Sequence, residues 1–275
     1  MAEIPGAGGT RLYVEAHGEG MPVVFSCAFC TTHENFRPQV QPLVEAGARV
    51  VLWDYRGHGQ SDAPTEDAAY SVDLVVEDLR CVLEWAAPGR PAVVGGLSLG
   101  GLISLHYYFR HPERVTALLL VDSGPGFKNP ESQARWAASV ERTGFVLESR
   151  GLEAFVDGKA GATTIGRRPE LPAARAARAA IVAQDPIALG RFGRNVAGPA
   201  PGVIDDLQRI AVPTLIVVGE EDDAYLKAAE VMAGKIPGAT RVEIPGAGHI
   251  CNLEKAEAFN EVVLRFLAQL GARAG

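Results

Sequence analysis

Long basic runs are absent from this 275-residue chain, and acidic residues outnumber basic ones, 33 against 26, for a formal charge of -7. That balance leaves no electrostatic footprint for nucleic acid. No apolar run approaches the roughly 20 residues that a membrane-spanning helix needs. The opening stretch MAEIPGAGGTRLYVEAHG lacks a positive n-region and an apolar h-region. No signal peptide is therefore expected, and a cytoplasmic location follows as the default. Cysteines number only four, at 27, 30, 81 and 251. Without a secretory signal they make no disulfide framework. Cys27-x-x-Cys30 has no second ligand pair at zinc spacing, so buried or loop thiols are expected and no metal site is assigned. Internal repeats and low-complexity tracts are missing too, which excludes solenoid architectures.

What is present is an ordinary globular composition, 47% hydrophobic and 21% charged, on a chain long enough to bury a sizeable core. Short apolar runs rich in strand formers recur: Thr10 to Ala16, Pro22 to Ser26, Arg49 to Trp53, Pro91 to Val94, Thr116 to Val121, Pro213 to Val218 and Thr240 to Ile244. Segments with helical spacing separate them, Ser71 to Trp85 and the closing Glu254 to Leu270 among them. Strands alternating with helices predict an α/β fold with a mostly parallel, doubly wound sheet covered on both faces. Residues 124–209 break the alternation. They hold alanine- and arginine-rich helical segments and no convincing strand, with 12 Lys+Arg against 9 Asp+Glu. This stretch is expected to be a helical cap inserted into a core formed by residues 1–123 and 210–275.

The chemistry centres on Gly95-Gly96-Leu97-Ser98-Leu99-Gly100-Gly101, between a strand and a helix. A serine at the apex of so sharp a turn is held in a strained backbone conformation, and Gly96 and Gly100 have no Cβ to collide with neighbouring elements. Its hydroxyl would project at the start of a helix, whose free N–H groups favour developing negative charge. A serine hydroxyl is a weak nucleophile without a base, and histidine is the side chain with a suitable pKa. His249 follows the last strand. Asp222 follows the one before it, with Asp223 as its one-residue alternative and Asp122, at the end of an earlier strand, as a rival. Ser98, Asp222 and His249 fall in the chain order of a nucleophile elbow triad. His17, His106 and His111 are poorly placed for the role, and His33 and His58 lie on rim loops.

Together, Gly96 to Gly101, Asp54-Tyr55-Arg56-Gly57-His58-Gly59-Gln60-Ser61, Gly219-Glu220-Glu221-Asp222 and Gly248-His249 resemble the α/β-hydrolase family over nearly the whole chain, within its cap-bearing esterases, lactonases and perhydrolases. The resemblance implies Ser98 as nucleophile, His249 as base, Asp222 as its partner, and no cofactor. It also implies an oxyanion hole from the backbone N–H groups of Leu99 and Phe29, or Ala28 if the loop is shifted by one. The Asp54 to Ser61 loop packs and turns the chain. One departure stands out: Cys27-Ala28 occupy the place of the family's His-Gly. The implied activity is hydrolysis of an ester, lactone or similar small acyl compound. Acyl transfer, carbon–carbon bond hydrolysis and slow-turnover ligand binding on the same frame are the alternatives. His33, Phe127, Trp136 and Phe192 are the candidate pocket residues.

Overall fold

The central strands form because their residues are β-branched or apolar at nearly every position, the signature of a sheet buried on both faces. In the computed structural model, which describes residues 1–274, eight strands make one sheet. They are β1 (Ala2–Pro5), β2 (Arg11–His17), β3 (Met21–Ser26), β4 (Ala48–Trp53), β5 (Ala92–Leu97), β6 (Val115–Val121), β7 (Thr214–Gly219) and β8 (Thr240–Ile244). Their order is β1-β2-β4-β3-β5-β6-β7-β8. Only β1 with β2 and β2 with β4 pair antiparallel; every other pairing is parallel.

Helices cover the two faces. Val24, Val94, Leu120 and Ile216 pack with α2 (Val72–Ala86), α3 (Leu99–Arg110) and α7 (Asp223–Lys235). Phe25, Leu52, Val93, Leu119 and Leu215 pack with α1 (Arg37–Glu45) and α9 (Ala256–Ala274). Strand alternation thus sends successive side chains into two separate cores. Between β6 and β7 the chain runs through α4 (Pro130–Val156, broken at Gly151 with φ 78°), α5 (Pro172–Val182) and α6 (Pro186–Phe192). A four-residue α8 (Cys251–Glu254) follows β8. The first strand, β1, has no counterpart in the sequence reading, because four residues ending in proline carry too little pattern.

The strand order reverses around β3, which lies between β4 and β5. Loops leaving the carboxyl ends of β3 and β5 therefore diverge, and an open α/β sheet forms its ligand crevice at such a point. Ser98 and the Cys27–Thr32 loop border that crevice. No helix among the described residues is long and apolar enough to cross a membrane.

Candidate active site

Ser98 joins β5 to α3 with φ 55° and ψ -113°, a region that costs a residue with a Cβ about 1–3 kcal/mol. Hydrogen bonds impose it: the Ser98 N–H donates to Val121 O (2.9 Å), and Ser98 O accepts from Gly101 N–H (3.1 Å) and Ser123 Oγ (2.6 Å). A Cβ on Gly96 or Gly100 would collide with the Ser26 carbonyl, and one on Gly101 with Ser123. The three glycines let β3, β5 and the start of α3 crowd together beneath the serine.

The loops after β7 and β8 are zipped by Glu220 N–H to Ile244 O (3.0 Å) and Glu221 N–H to Ala247 O (2.9 Å). Gly219 permits this approach, since a side chain there would strike the Ala247 and Gly248 carbonyls. The result sets Asp222 against His249, whose Nδ1 donates to Asp222 Oδ2 at 2.8 Å. Both side chains are buried. Burial works against the imidazolium, but the Asp222 hydrogen bond and charge outweigh it, and His249 titrates above its ordinary value. With Nδ1 protonated, Nε2 carries the lone pair of the neutral ring. It has no hydrogen-bond partner among the described residues, and His249 shares a cavity of about 290 Å³ with Ser98.

Ser98 Oγ lies 3.4 Å from Tyr225 Oη, and no Ser98–His249 hydrogen bond is closed among the described residues. Catalytic hydrogen bonds are often long in unliganded sites and tighten only around substrate. Tyr225 also stacks on His249, with ring centroids 4.8 Å apart. Sequence reasoning missed it. The available signal was its spacing, three residues after Asp222, which puts both on one face of the first turn of α7.

The rival carboxylate, Asp122, is occupied elsewhere. It accepts from the N–H groups of Gly219 (2.7 Å) and Cys251 (3.1 Å), tying together the loops that carry Asp222 and His249. Complete burial pushes its pKa up to about 7. Asp122→Asn keeps only one acceptor oxygen for two N–H donors, so a loss of about 1–3 kcal/mol of stability is expected. Thermal melts should fall by several degrees while kcat drops less than about tenfold. A loss of several thousandfold would instead make Asp122 the acid that serves His249. Asp223 is exposed and opens α7.

Phe29 and Leu99 both border the crevice beside Ser98. Leu99 is the first residue of α3, so its N–H has no acceptor within the helix. The Phe29 N–H donates to no acceptor among the described residues. Cys27 and Ala28 are buried, and the left-handed backbone of this loop falls on Cys30 (φ 66°). Cys30 is held from two sides: its N–H donates to His58 Nε2 (3.3 Å), and its carbonyl accepts from Gln184 Nε2 (3.1 Å). His58 can accept because burial pushes its pKa down to about 4 and keeps it neutral. All four cysteines are free thiols.

Phe127 and Trp136 line the crevice, but His33 and Phe192 do not. Phe192 is fully buried behind Phe29, packed on Tyr55 and His58, because its helix turns that face into the core. His33 is buried the other way. Its N–H and Nδ1 donate to the two oxygens of Asp54, both at 2.8 Å, and its Nε2 faces Glu15 and Glu34. Glu15, His33 and Glu34 lie close enough to suggest metal ligands, yet the Arg37 guanidinium already pairs with both carboxylates. Burial opposes the His33 charge, but hydrogen bonds to Asp54 and Glu34 prevail and raise its pKa to about 9. The sign follows: a raised folded pKa stabilises fully below the unfolded value of about 6.5, and the gain disappears as pH climbs through about 9. Denaturant melts of His33→Gln and wild type should therefore differ most at pH 6 and converge above pH 9. A gap independent of pH would refute a charged His33.

Over nearly its whole length the chain is similar to known proteins. A family model described as alpha/beta hydrolase fold matches residues 21–256. A Klebsiella pneumoniae protein assigned provisionally as the carbamate hydrolase RutD is 31% identical over 261 residues, covering 91% of this chain and 93% of its own. The enol-lactonase of Burkholderia xenovorans LB400 superposes with a TM-score of 0.81 at 26% identity, covering 97% of this chain and 100% of its own. A thermophilic esterase of Thermogutta terrifontis gives 0.85 at 23% identity over 98% of both chains.

Proposed function

We propose that this chain, which belongs to the α/β-hydrolase family, is a serine hydrolase that cleaves a neutral ester or lactone through an acyl-enzyme. The observation that carries this reading is the convergence on one cavity of the strained Ser98 and an Asp222-paired His249. Ser98 Oγ attacks the carbonyl carbon as His249 Nε2 takes its proton. Asp222 holds the imidazole tautomer and stabilises the imidazolium. The N–H groups of Leu99 and Phe29 receive the oxyanion, an interaction whose loss is worth about a hundred- to a thousandfold in rate per donor. The imidazolium then protonates the departing oxygen, and a water deprotonated by His249 releases the acid. Residues 124–209 act as the cap, contributing Phe127, Trp136 and Ala197 to the lining of the crevice that holds Ser98.

Charge argues for a neutral substrate. Among the described residues no lysine or arginine lines the crevice on either side of Ser98. Several basic residues of the 124–209 segment pair away from the crevice: Arg167 with Glu221 and Glu254, Arg178 with Asp157, and Arg194 with Glu148. A Bacillus subtilis relative, 28% identical over 81% of this chain, is assigned provisionally as a 2-succinyl-6-hydroxy-2,4-cyclohexadiene-1-carboxylate synthase. That product bears two carboxylates, which this lining offers no cation to meet. The test is steady release of acid from a neutral ester in water. Product formation that accelerates on adding an alcohol or amine acceptor would favour acyl transfer instead.

A further inference from the structure

The geometry points to one orientation and one substrate class, resting on the Ser98 reading: an apolar acyl group esterified to a small, neutral, hydroxyl-bearing alcohol. Two compartments flank Ser98. One, of about 340 Å³, is walled by Leu99, Leu102, Phe127, Trp136 and Ala228. The other, of about 290 Å³, is lined by His249, Ser139, Thr143, Thr163 and Thr164 as well as by Phe155. Phe29, Trp136 and Tyr225 border both.

The chemistry assigns the compartments. When the tetrahedral intermediate collapses, the bond from carbonyl carbon to leaving oxygen breaks, and that oxygen must take its proton from His249 Nε2. His249 lines only the second compartment, so the alcohol leaves through it and the acyl group lies in the first. The acyl compartment has room for roughly ten non-hydrogen atoms at ~30 Å³ each, which fits a chain of about eight carbons.

The alcohol side adds hydroxyl-bearing residues that the acyl side lacks. Thr143 Oγ1 donates to Ser139 O (3.2 Å), while Thr163 Oγ1 (3.2 Å) and Thr164 Oγ1 (2.8 Å) donate to Ala160 O. Three hydroxyl protons are thus committed to backbone carbonyls, leaving oxygen lone pairs as what these side chains offer. They recognise a hydrogen-bond donor, such as the free hydroxyls of a polyol. With no cation among the lining residues, a carboxylate or phosphate on either end finds no partner.

Two isomeric esters test this. In 1-octanoylglycerol the apolar half is the acyl group; in the octyl ester of glyceric acid it is the alcohol. The expected result is a kcat/KM at least thirtyfold higher for octanoylglycerol. In Thr143→Val that preference should shrink severalfold, and in Leu102→Trp the acyl-length optimum should shorten from about eight carbons to four or fewer. Equal rates, or a preference for the octyl ester, would overturn the orientation. If neither ester turns over while a fluorophosphonate still labels Ser98, the substrate class is wrong and the serine mechanism stands. If labelling fails as well, the underlying reading fails and this inference with it.

Discussion

Ser98→Ala is expected to lower kcat for any ester substrate by at least ~10⁴-fold while leaving the fold intact. In triad hydrolases loss of the nucleophile alone removes nearly all the benefit of the triad, and what remains comes from binding and the oxyanion donors. The structure adds a second, opposite expectation for Ser98→Gly. The backbone at 98 sits at φ 55° and ψ -113°, where a Cβ is strained and glycine is at ease. Glycine should relieve about 1–3 kcal/mol of that strain, less a few tenths to 1 kcal/mol for its greater unfolded-state freedom. Ser98→Gly should therefore melt above Ser98→Ala while being equally inactive. An inactive protein that gains stability on losing its nucleophile would locate the strain at the functional residue. Thermal melts and steady-state rates on the two variants decide it. A Ser98→Ala protein retaining a tenth of wild-type rate would end the proposed mechanism.

Asp222→Asn carries the second large effect, a fall in kcat of ~10³–10⁴-fold, by analogy with the acid of other triads. An amide in that place no longer holds the Nδ1–H tautomer or balances the imidazolium. The pH profile separates this role from a merely structural one. The active form has neutral His249, so kcat/KM rises with pH as His249 loses its proton. In the wild type that limb should lie above the ordinary histidine value of about 6.5, because Asp222 overrides the effect of burial. Removing the charge takes away the strongest of the groups that oppose burial, so the limb of Asp222→Asn should move to lower pH. A variant that is slow but keeps the wild-type limb would show that Asp222 does not act through His249.

Much of this arrangement was legible from the chain. The buried parallel strands announce themselves because a strand covered on both faces must be apolar throughout, as in Thr116 to Val121. The elbow is legible because steric crowding at Ser98 tolerates little besides glycine at 96 and 100, a constraint written directly into residue type. Asp222 and His249 follow from strand ends in a fixed order. What did not show is what depends on side-chain direction across the fold. His33 reads as a rim residue from its loop, yet Asp54, 21 positions away, turns it inward. Phe192 reads as a pocket aromatic, but it packs behind Phe29. Tyr225 offered only its spacing from Asp222, which gains meaning once His249 is placed against it. The Cys27-Ala28 departure likewise resolves only in three dimensions, where the loop bends at Cys30 under the grip of His58 and Gln184.

Intact-mass analysis after exposure to a fluorophosphonate probe, on wild type, Ser98→Ala and His249→Ala, addresses whether this constellation activates a serine at all. One adduct on the wild type, mapped to Ser98 and missing from both variants, is the expected result. Folded wild-type protein that stays unlabelled by a probe small enough for the 340 Å³ compartment, or that is labelled equally in the Ser98→Ala variant, would contradict it.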